Sequence, residues 1–238
     1  MNEHSAANQP FPAEFLDQAG LNRQHVFDLA ALPPEVRHTL GDTAGYRQLI
    51  LLGHGGRRLW ECVKASGAGG EHPIEDYCVR KVTRWLADFL PGRRYQIIYP
   101  GEQPVGLQQL GKLAGWHQPS PFMVGIDAEW GSWFAYRALV LADTDFLPFI
   151  PLERSNPCIS CDGHPCIAAC PAGALAGGGF SFDLCRGHRL SEGSACATTC
   201  IAREACPVGA EHRYTKDQLA HSYVRSLAMI RRYDAGQS

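Results

Sequence analysis

The stretch that decides the fold reads Cys158-Ile-Ser-Cys161-Asp-Gly-His-Pro-Cys166-Ile-Ala-Ala-Cys170-Pro171, and it continues to Cys185, Cys196, Cys200 and Cys206. Eight of the ten cysteines of the chain lie in this segment. Iron–sulfur clusters are held by cysteine thiolates, four for each 4Fe-4S cluster. Eight thiols in one short segment therefore predict a site for two 4Fe-4S clusters.

Each half of the segment ends in a Cys-Pro pair, Cys170-Pro171 and Cys206-Pro207. In the bacterial two-cluster pattern, the cysteine of each such pair ligates the cluster of the other half. The first predicted ligand set is Cys158, Cys161, Cys166 and Cys206. The second predicted ligand set is Cys170, Cys185, Cys196 and Cys200. The spacing is looser than in that pattern, since four residues separate Cys161 from Cys166 where the pattern has two.

Two other uses of eight cysteines remain open at this point. A disulfide framework is typical of small secreted domains, but the polar N-terminus lacks the basic and apolar regions of a signal peptide. Two zinc sites would also use two sets of four thiolates, although structural zinc sites usually show paired C-x2–4-C spacings. The two-cluster interpretation fits the observed spacing best.

Composition limits the class of protein. The chain has 238 residues, 45% of them hydrophobic, which suffices for one large domain or two modest ones. A net charge of −2 gives no basic footprint for nucleic acid. No apolar run approaches the ~20 residues that span a bilayer. We expect a cytoplasmic protein, where thiols stay reduced.

Upstream of the cysteines, strand and helix patterns alternate. Short apolar runs predict strands at residues 48–53, 94–99, 122–124 and 131–142. Helical patterns lie at residues 73–90, 105–113 and 212–232, with weaker ones in 13–40. Cys78 falls on the apolar face of the 73–90 helix, so we expect it to be a core residue. We expect the same of Cys62, with an exposed reactive thiol as the alternative. This mixture predicts an α+β fold with an α/β sheet layer.

These patterns divide the chain into four predicted segments. They are a flexible or helical N-terminal segment (1–40), an α/β cofactor-binding-like domain (41–150), a ferredoxin-like domain with two 4Fe-4S clusters (151–212) and a C-terminal helix (213–238). Arg137 is the charge within the apolar 131–142 run. We expect it to pair with a carboxylate or an anion, or to lie at the sheet edge.

Several short motifs follow one another in order between residues 76 and 207. They are Asp76-Tyr77, Leu113-Ala-Gly115-Trp116, Asp127-Ala-Glu-Trp130-Gly-Ser-Trp133-Phe134, Asn156-Pro-Cys158, Cys170-Pro-Ala-Gly-Ala-Leu175 and Phe182-Asp-Leu-Cys185. In this order they resemble the epoxyqueuosine reductase family, cobalamin-dependent iron–sulfur enzymes that complete queuosine in tRNA.

The resemblance implies a nitroreductase-like, cobalamin-binding α/β domain followed by a dicluster ferredoxin-like domain. It implies cobalamin as a further cofactor and a flavodoxin or ferredoxin as electron donor. It also raises tRNA as a substrate, although the basic C-terminal extension that many members use around tRNA is short or absent here. Candidate residues for lining the cofactor cleft are Trp116, Trp130, Trp133 and Phe134, with core packing as the alternative.

The catalytic acid of the family has no direct counterpart. Its position aligns with Gly101, and Glu102 is the nearest carboxylate, so Glu102 is the predicted catalytic residue, with an exposed loop glutamate as the alternative. Three functions stay open. The first is a cobalamin-dependent reductase. The second is a non-enzymatic, ferredoxin-type electron carrier or assembly partner, and the third is a zinc-binding interaction protein.

Overall fold

The computed structural model describes residues 9–151 and 154–236. Within these ranges the chain forms two compact units. The first contains the described residues up to Gly115 and those from Phe134 to residue 151, and the second contains Trp116–Trp133 and the residues from Arg154 onward. The two units are therefore interleaved along the chain. The predicted domain limits stay predictions, and the one at 150/151 lies beside two residues outside the described ranges.

The first unit is built on a four-stranded antiparallel sheet. Its strands are β1 (Arg23–Asp28), β2 (Gln48–Gly55), β3 (Tyr95–Tyr99) and β4 (Phe134–Ala142). Their order across the sheet is β1-β2-β4-β3. The central pair places Leu51 of β2 opposite Leu139 of β4. This small sheet with surrounding helices is a mixed α/β unit, which confirms the predicted fold class in that coarse form.

Both faces of the sheet are buried. Successive side chains of a strand point to opposite faces, so Val26, Ile50 and Val140 lie on one face, packed against helices. Leu49, Leu51, Leu139 and Leu141 lie on the other face and have no exposed surface. A strand that is buried on both sides has a nearly continuous hydrophobic sequence. This explains why the run from residue 48 was recognisable as a strand.

Helices of the first unit flank this sheet. They are α1 (Glu14–Gln18), α2 (Pro34–Arg37), α3 (Arg58–Ala65), α4 (Pro73–Phe89) and α5 (Leu107–Leu113), with 3-10 turns at Leu29–Ala31 and His38–Leu40. The predicted long helix is confirmed as α4, which begins at Pro73, where the missing N–H costs nothing. Its buried face carries Cys78, Val82 and Trp85, as the spacing predicted.

The second unit has short helices and one long one. They are α6 (Pro165–Ala168), α7 (Phe182–Leu190), α8 (Ile201–Glu204) and α9 (Lys216–Asp234), with a 3-10 turn at Ala210–His212. Side-chain caps start two of them, since Ser181 accepts a hydrogen bond from Leu184 N and Thr215 accepts one from Gln218 N. Helices of four residues are not stable alone in water. Their stability must come from packing around the cysteines.

Three sequence-based expectations were wrong. The weak helical pattern expected around Val26 to Leu32 is wrong over its first residues, which belong to strand β1, because the pairing with β2 is a long-range contact that a local pattern cannot reveal. The predicted 122–124 strand is a turn with Met123 at φ +62°, closed by a hydrogen bond from the Ser120 hydroxyl to the Val124 carbonyl. Strand β4 begins at Phe134 rather than at 131, because Gly131 has φ +58°.

No helix in the described part of the chain is both long and apolar enough to cross a membrane.

Candidate metal centres

All eight clustered cysteines belong to the second unit, and local structure orients them. Cys158 N donates to the side-chain carbonyl of Asn156 at 2.9 Å, which shapes the turn of the Asn-Pro-Cys motif. Cys166 lies in α6 and Cys185 lies in α7, while Cys200 is the N-cap of α8. All ten cysteines of the chain are free thiols. The structure therefore contains no disulfide framework.

The four cysteines of the first predicted set act electrostatically on one another. Burial, followed by the nearby Cys206, Cys166 and Cys161, raises the pKa of the Cys158 thiol to about 11. The pKa of Cys166 is raised in the same way, by burial and then by Cys206 and Cys161. Two members, Cys166 and Cys206, share a small hydrophobic core with Phe122, Ile126, Leu175 and Ala202, against which Cys158, Cys170 and Cys200 also pack. These four thiols form one group.

The cysteines of the second predicted set form a separate group around a cavity. Burial raises the pKa of Cys185, and Cys200, Cys170 and Cys196 contribute in the same direction. A cavity of about 160 Å³ has all four of these cysteines in its wall, together with Phe122, Phe180, Arg189 and Tyr223. Four thiols around one enclosed space are an arrangement that can hold a metal cluster.

Each predicted set offers four thiols, the number of thiolate ligands that one 4Fe-4S cluster takes. In the described residues, no three cysteine, histidine or acidic side chains converge tightly enough to hold one metal ion. A zinc ion needs its thiolates about 2.3 Å from one centre. A cluster binds each thiolate through a different iron and therefore accommodates a wider group. Since thiolates are the ligands, metal binding at the Cys158 and Cys185 thiols, whose pKa values are raised by burial, would release their protons.

Three residues near the second set were not singled out from the sequence. Arg189 is buried and donates through Nε to the carbonyl oxygen of Cys196 at 3.3 Å. Tyr223 and Arg203 both lie near the Cys200 thiol. Arg189 follows Cys185 by four residues in α7, and residues four apart share a helix face. That spacing was the signal that could have identified Arg189.

Three of the predicted cofactor-lining aromatics lie in the second unit. Trp116 and Trp133 are buried, with Trp133 fully so. Trp133 packs edge-on against Tyr214, with ring centroids 5.4 Å apart. Trp130 is half-buried and its ring centroid lies 4.2 Å from that of His212. These packing contacts occupy the rings, and the cofactor-lining role stays a prediction.

The other two predicted site residues lie in the first unit. Phe134 begins β4, and its ring contacts Tyr136 and the guanidinium of Arg23, 4.9 Å from the ring centroid. Glu102 is exposed in a bend between β3 and α5. The structure does not bury this carboxylate, and its catalytic role stays a prediction.

A polar cluster links strands β2 and β4 of the first unit to helix α4. Arg137 donates through Nε to Nδ1 of the buried His54 at 3.0 Å and forms an ion pair with Glu75 at 3.9 Å. The expectation that Arg137 pairs with a carboxylate is confirmed. Burial raises the pKa of the neighbouring Cys78 to about 11, which agrees with a core thiol.

Comparisons with protein-family models and with curated proteins gave no match. Solved structures did match. An epoxyqueuosine reductase with a tRNA-Tyr epoxyqueuosine-modified stem loop is 14% identical, with a TM-score of 0.54, covering 87% of this chain and 67% of that chain. The epoxyqueuosine reductase from Bacillus subtilis, with its catalytic loop swung out of the active site, is 15% identical, with a TM-score of 0.52, covering 85% and 66%.

A catabolic reductive dehalogenase in complex with 3-bromo-4-hydroxybenzoic acid is 12% identical, with a TM-score of 0.52, covering 92% of this chain and 34% of that chain. The chain thus spans about two thirds of the epoxyqueuosine reductases and about one third of the dehalogenase. Both kinds of neighbour are reductases by name. At these identities the similarity establishes the architecture alone, and the fold of this chain is epoxyqueuosine reductase-like.

Proposed function

We propose that this chain is an iron–sulfur redox protein that binds two 4Fe-4S clusters in a ferredoxin-like domain. It passes single electrons to a cofactor or substrate held by the α/β unit. The first cluster is held by Cys158, Cys161, Cys166 and Cys206, and the second by Cys170, Cys185, Cys196 and Cys200. The observation that carries the proposal is the separation of the thiols into these two groups, one of them around a cavity.

The chain's own residues prepare both sites. Burial raises the pKa of the Cys158 and Cys185 thiols, so ligation by these two cysteines is coupled to proton release. Arg213 donates to the carbonyl of Cys206 at 3.0 Å, and Arg189 holds the carbonyl of Cys196, so each site has one ligand segment fixed by a guanidinium. The bound clusters would supply one-electron transfer.

The acceptor that we propose is cobalamin or another corrinoid bound by the α/β unit. Two facts support it: the fold is epoxyqueuosine reductase-like, and the ordered motifs resemble those of that cobalamin-dependent family. The same resemblance supports a flavodoxin or ferredoxin as electron donor, a cytoplasmic location, and a tRNA substrate as a further candidate. Trp116, Trp130, Trp133, Phe134 and Glu102 are the candidate residues at the acceptor site.

The decisive experiment is anaerobic purification followed by iron and sulfide determination and EPR spectroscopy. Two cubane clusters require about eight iron atoms per chain. Replacing one cysteine of either set, Cys158→Ser or Cys185→Ser, should remove about four iron atoms each, while Cys62→Ser should retain the full content. A colourless preparation with stoichiometric zinc would refute the proposal.

One observation favours the electron-carrier alternative. Gly101 stands at the position of the family acid, and the nearest carboxylate, Glu102, is exposed. Titration of the cluster-loaded protein with cobalamin separates the two functions. A reductase of this kind should shift the corrin spectrum and gain thermal stability on binding. A carrier should show neither effect with any corrinoid, yet should reoxidise rapidly with a protein acceptor.

A further inference from the structure

Arg189 joins the second ligand set to the C-terminal helix. The residue is 8% exposed, and its guanidinium donates to three groups. They are the Cys196 carbonyl at 3.3 Å, the Tyr223 carbonyl at 2.9 Å and the Ser226 hydroxyl at 3.1 Å. The last two belong to α9. A positive charge is therefore fixed in the wall of the cavity, where little water can screen it.

Tyr223 contacts this guanidinium and lines the same cavity as the four cysteines. Its ring faces Arg189, with the guanidinium carbon 5.3 Å from the ring centroid. Its hydroxyl lies near the Cys200 thiol and the Arg203 guanidinium. The hydroxyl is thus placed where it can donate a hydrogen bond to that sulfur.

Arg203 is held in place by contacts of its own. Its guanidinium lies 4.5 Å from the ring centroid of Trp133 and 5.1 Å from that of Tyr214. Its Nε donates to the Ser132 hydroxyl at 3.1 Å. Two aromatic rings and a hydroxyl therefore fix a second positive charge one helical turn after Cys200. The second ligand set has two oriented guanidinium groups and one phenolic hydroxyl.

The first ligand set has a different environment. The guanidinium described beside this set is that of Arg213, which lies near the Cys206 thiol and donates to the Cys206 carbonyl at 3.0 Å. The two sets therefore differ in the positive charge and hydrogen-bond donors that face the sulfurs. Net charge and hydrogen bonds to sulfur are among the factors that set the potential of an iron–sulfur cluster.

We propose that Tyr223, supported by Arg203 and Arg189, makes the Cys170/Cys185/Cys196/Cys200 site the one of higher reduction potential, so that it is reduced first. This inference rests on the proposed two-cluster function. Reduction adds one electron and therefore one negative charge to the cluster. A hydroxyl donor and two cations stabilise that added charge more than they stabilise the oxidised form. Tyr223 is a positioning residue that acts through Cys200.

The test is a redox titration of the anaerobic, cluster-loaded full chain with dithionite, followed by EPR. Tyr223→Phe keeps the ring and removes the hydroxyl. At a fixed potential we expect the reduced-to-oxidised ratio of the higher-potential cluster to fall about threefold, or about 30 mV at 59 mV per tenfold change. Arg203→Gln should shift the same cluster in the same direction. The control is Tyr233→Phe, an exposed tyrosine on the same helix, which should shift neither cluster.

Other outcomes would overturn the inference. A shift of the lower-potential cluster in Tyr223→Phe would reverse the assignment. Unchanged potentials in both variants, at full iron content, would remove any tuning role. If both variants lose about four iron atoms, their role is structural and the inference is wrong. By contrast, a wild-type content of about four iron atoms would refute the two-cluster function itself.

Discussion

Arg137 shows how one residue is explained by its place in the sheet. Leu52 pairs with Ala138 and Gly53 pairs with Tyr136, so Arg137 is the extra residue of a β-bulge in β4. A bulge redirects a side chain out of the regular alternation. The guanidinium thereby reaches His54 and Glu75 instead of pointing towards the buried leucine side chains of β2 and β4. A charge within an apolar run is a sign of such an irregularity.

His25 should make the stability of the first unit depend on pH. It is buried in β1 with its ring 4.3 Å from Phe27, and burial lowers its pKa to about 4. The unfolded histidine titrates near ~6.5. Between these values the unfolded chain binds a proton that the folded chain does not. The free energy of unfolding is therefore highest above pH ~6.5 and should fall by about 3 kcal/mol as the pH falls towards 4.

Urea unfolding at pH 7.5, 6.0 and 5.0 measures this dependence. His25→Phe should flatten it, whereas His38→Gln, at an exposed histidine, should leave it as in the wild type. An equally steep loss of stability in His25→Phe would show that another group is responsible.

Cys78 should matter for packing and not for iron. Its thiol is fully buried in the core of the first unit. Cys78→Ala should lower the free energy of unfolding by about 1–2 kcal/mol, because it leaves a small cavity, with the iron content unchanged. Cys62→Ala, at a partly buried thiol, should cost less. Thermal unfolding and iron determination on the same samples check both points, and loss of iron in Cys78→Ala would contradict the core assignment.

At the scale of elements, the loop before β4 explains why the strand starts late. Asp127 Oδ1 accepts hydrogen bonds from Glu129 N at 2.8 Å and Trp130 N at 3.0 Å, which folds the loop back. Gly131 has φ +58°, and a Cβ there would collide with the carbonyl oxygen of Val208. The loop is therefore packed backbone to backbone against the segment that follows Cys206.

Gly131→Ala should disrupt this contact. A positive φ costs a residue with a side chain roughly 1–2 kcal/mol, and the collision adds to this cost. We therefore expect the free energy of unfolding to fall by more than about 2 kcal/mol. We also expect the variant to retain less iron. Gly177→Ala is the matched control, since a Cβ at Gly177 meets no atom within 4 Å and its φ is not positive. Equal thermal stability of the two variants would show that the close approach does not matter.

At the scale of the whole molecule, the two units differ in what stabilises them. The first has a continuous hydrophobic core between its sheet and helices. The second has a smaller core in which cysteines are major members, and its short helices α6 and α8 lie beside ligand positions. Ligand binding to the folded form adds its binding free energy to stability. The second unit should therefore depend on its clusters far more than the first.

Iron removal should expose that difference. After anaerobic chelation, amide hydrogen exchange should rise throughout residues 154–236 while strands β2 and β4 stay protected. Reconstitution with iron and sulfide should restore protection. A uniform rise over both units would instead indicate one cooperative structure that the clusters stabilise as a whole.

The sequence by itself determined the long helix α4 and the central strand β2, and it predicted the cysteine ligands, which belong to the proposed function. These depend on local spacing: cysteine intervals, a 3.6-residue apolar period and a continuous apolar run are visible without the fold. The crossed division of the cysteines also followed from the Cys-Pro positions, and it remains part of the proposed function.

The tertiary structure alone decided the features that depend on distant pairs. Strand β1 forms because β2 offers it a partner, and the Asp127–Gly131 loop departs from strand because Val208 approaches it. Tyr223 of α9 and Arg203 both lie near Cys200, and neither spacing nor composition predicts that Tyr223 comes close to this cysteine. Local patterns report which face of an element is buried, whereas the partner on that face is chosen by packing of the whole chain.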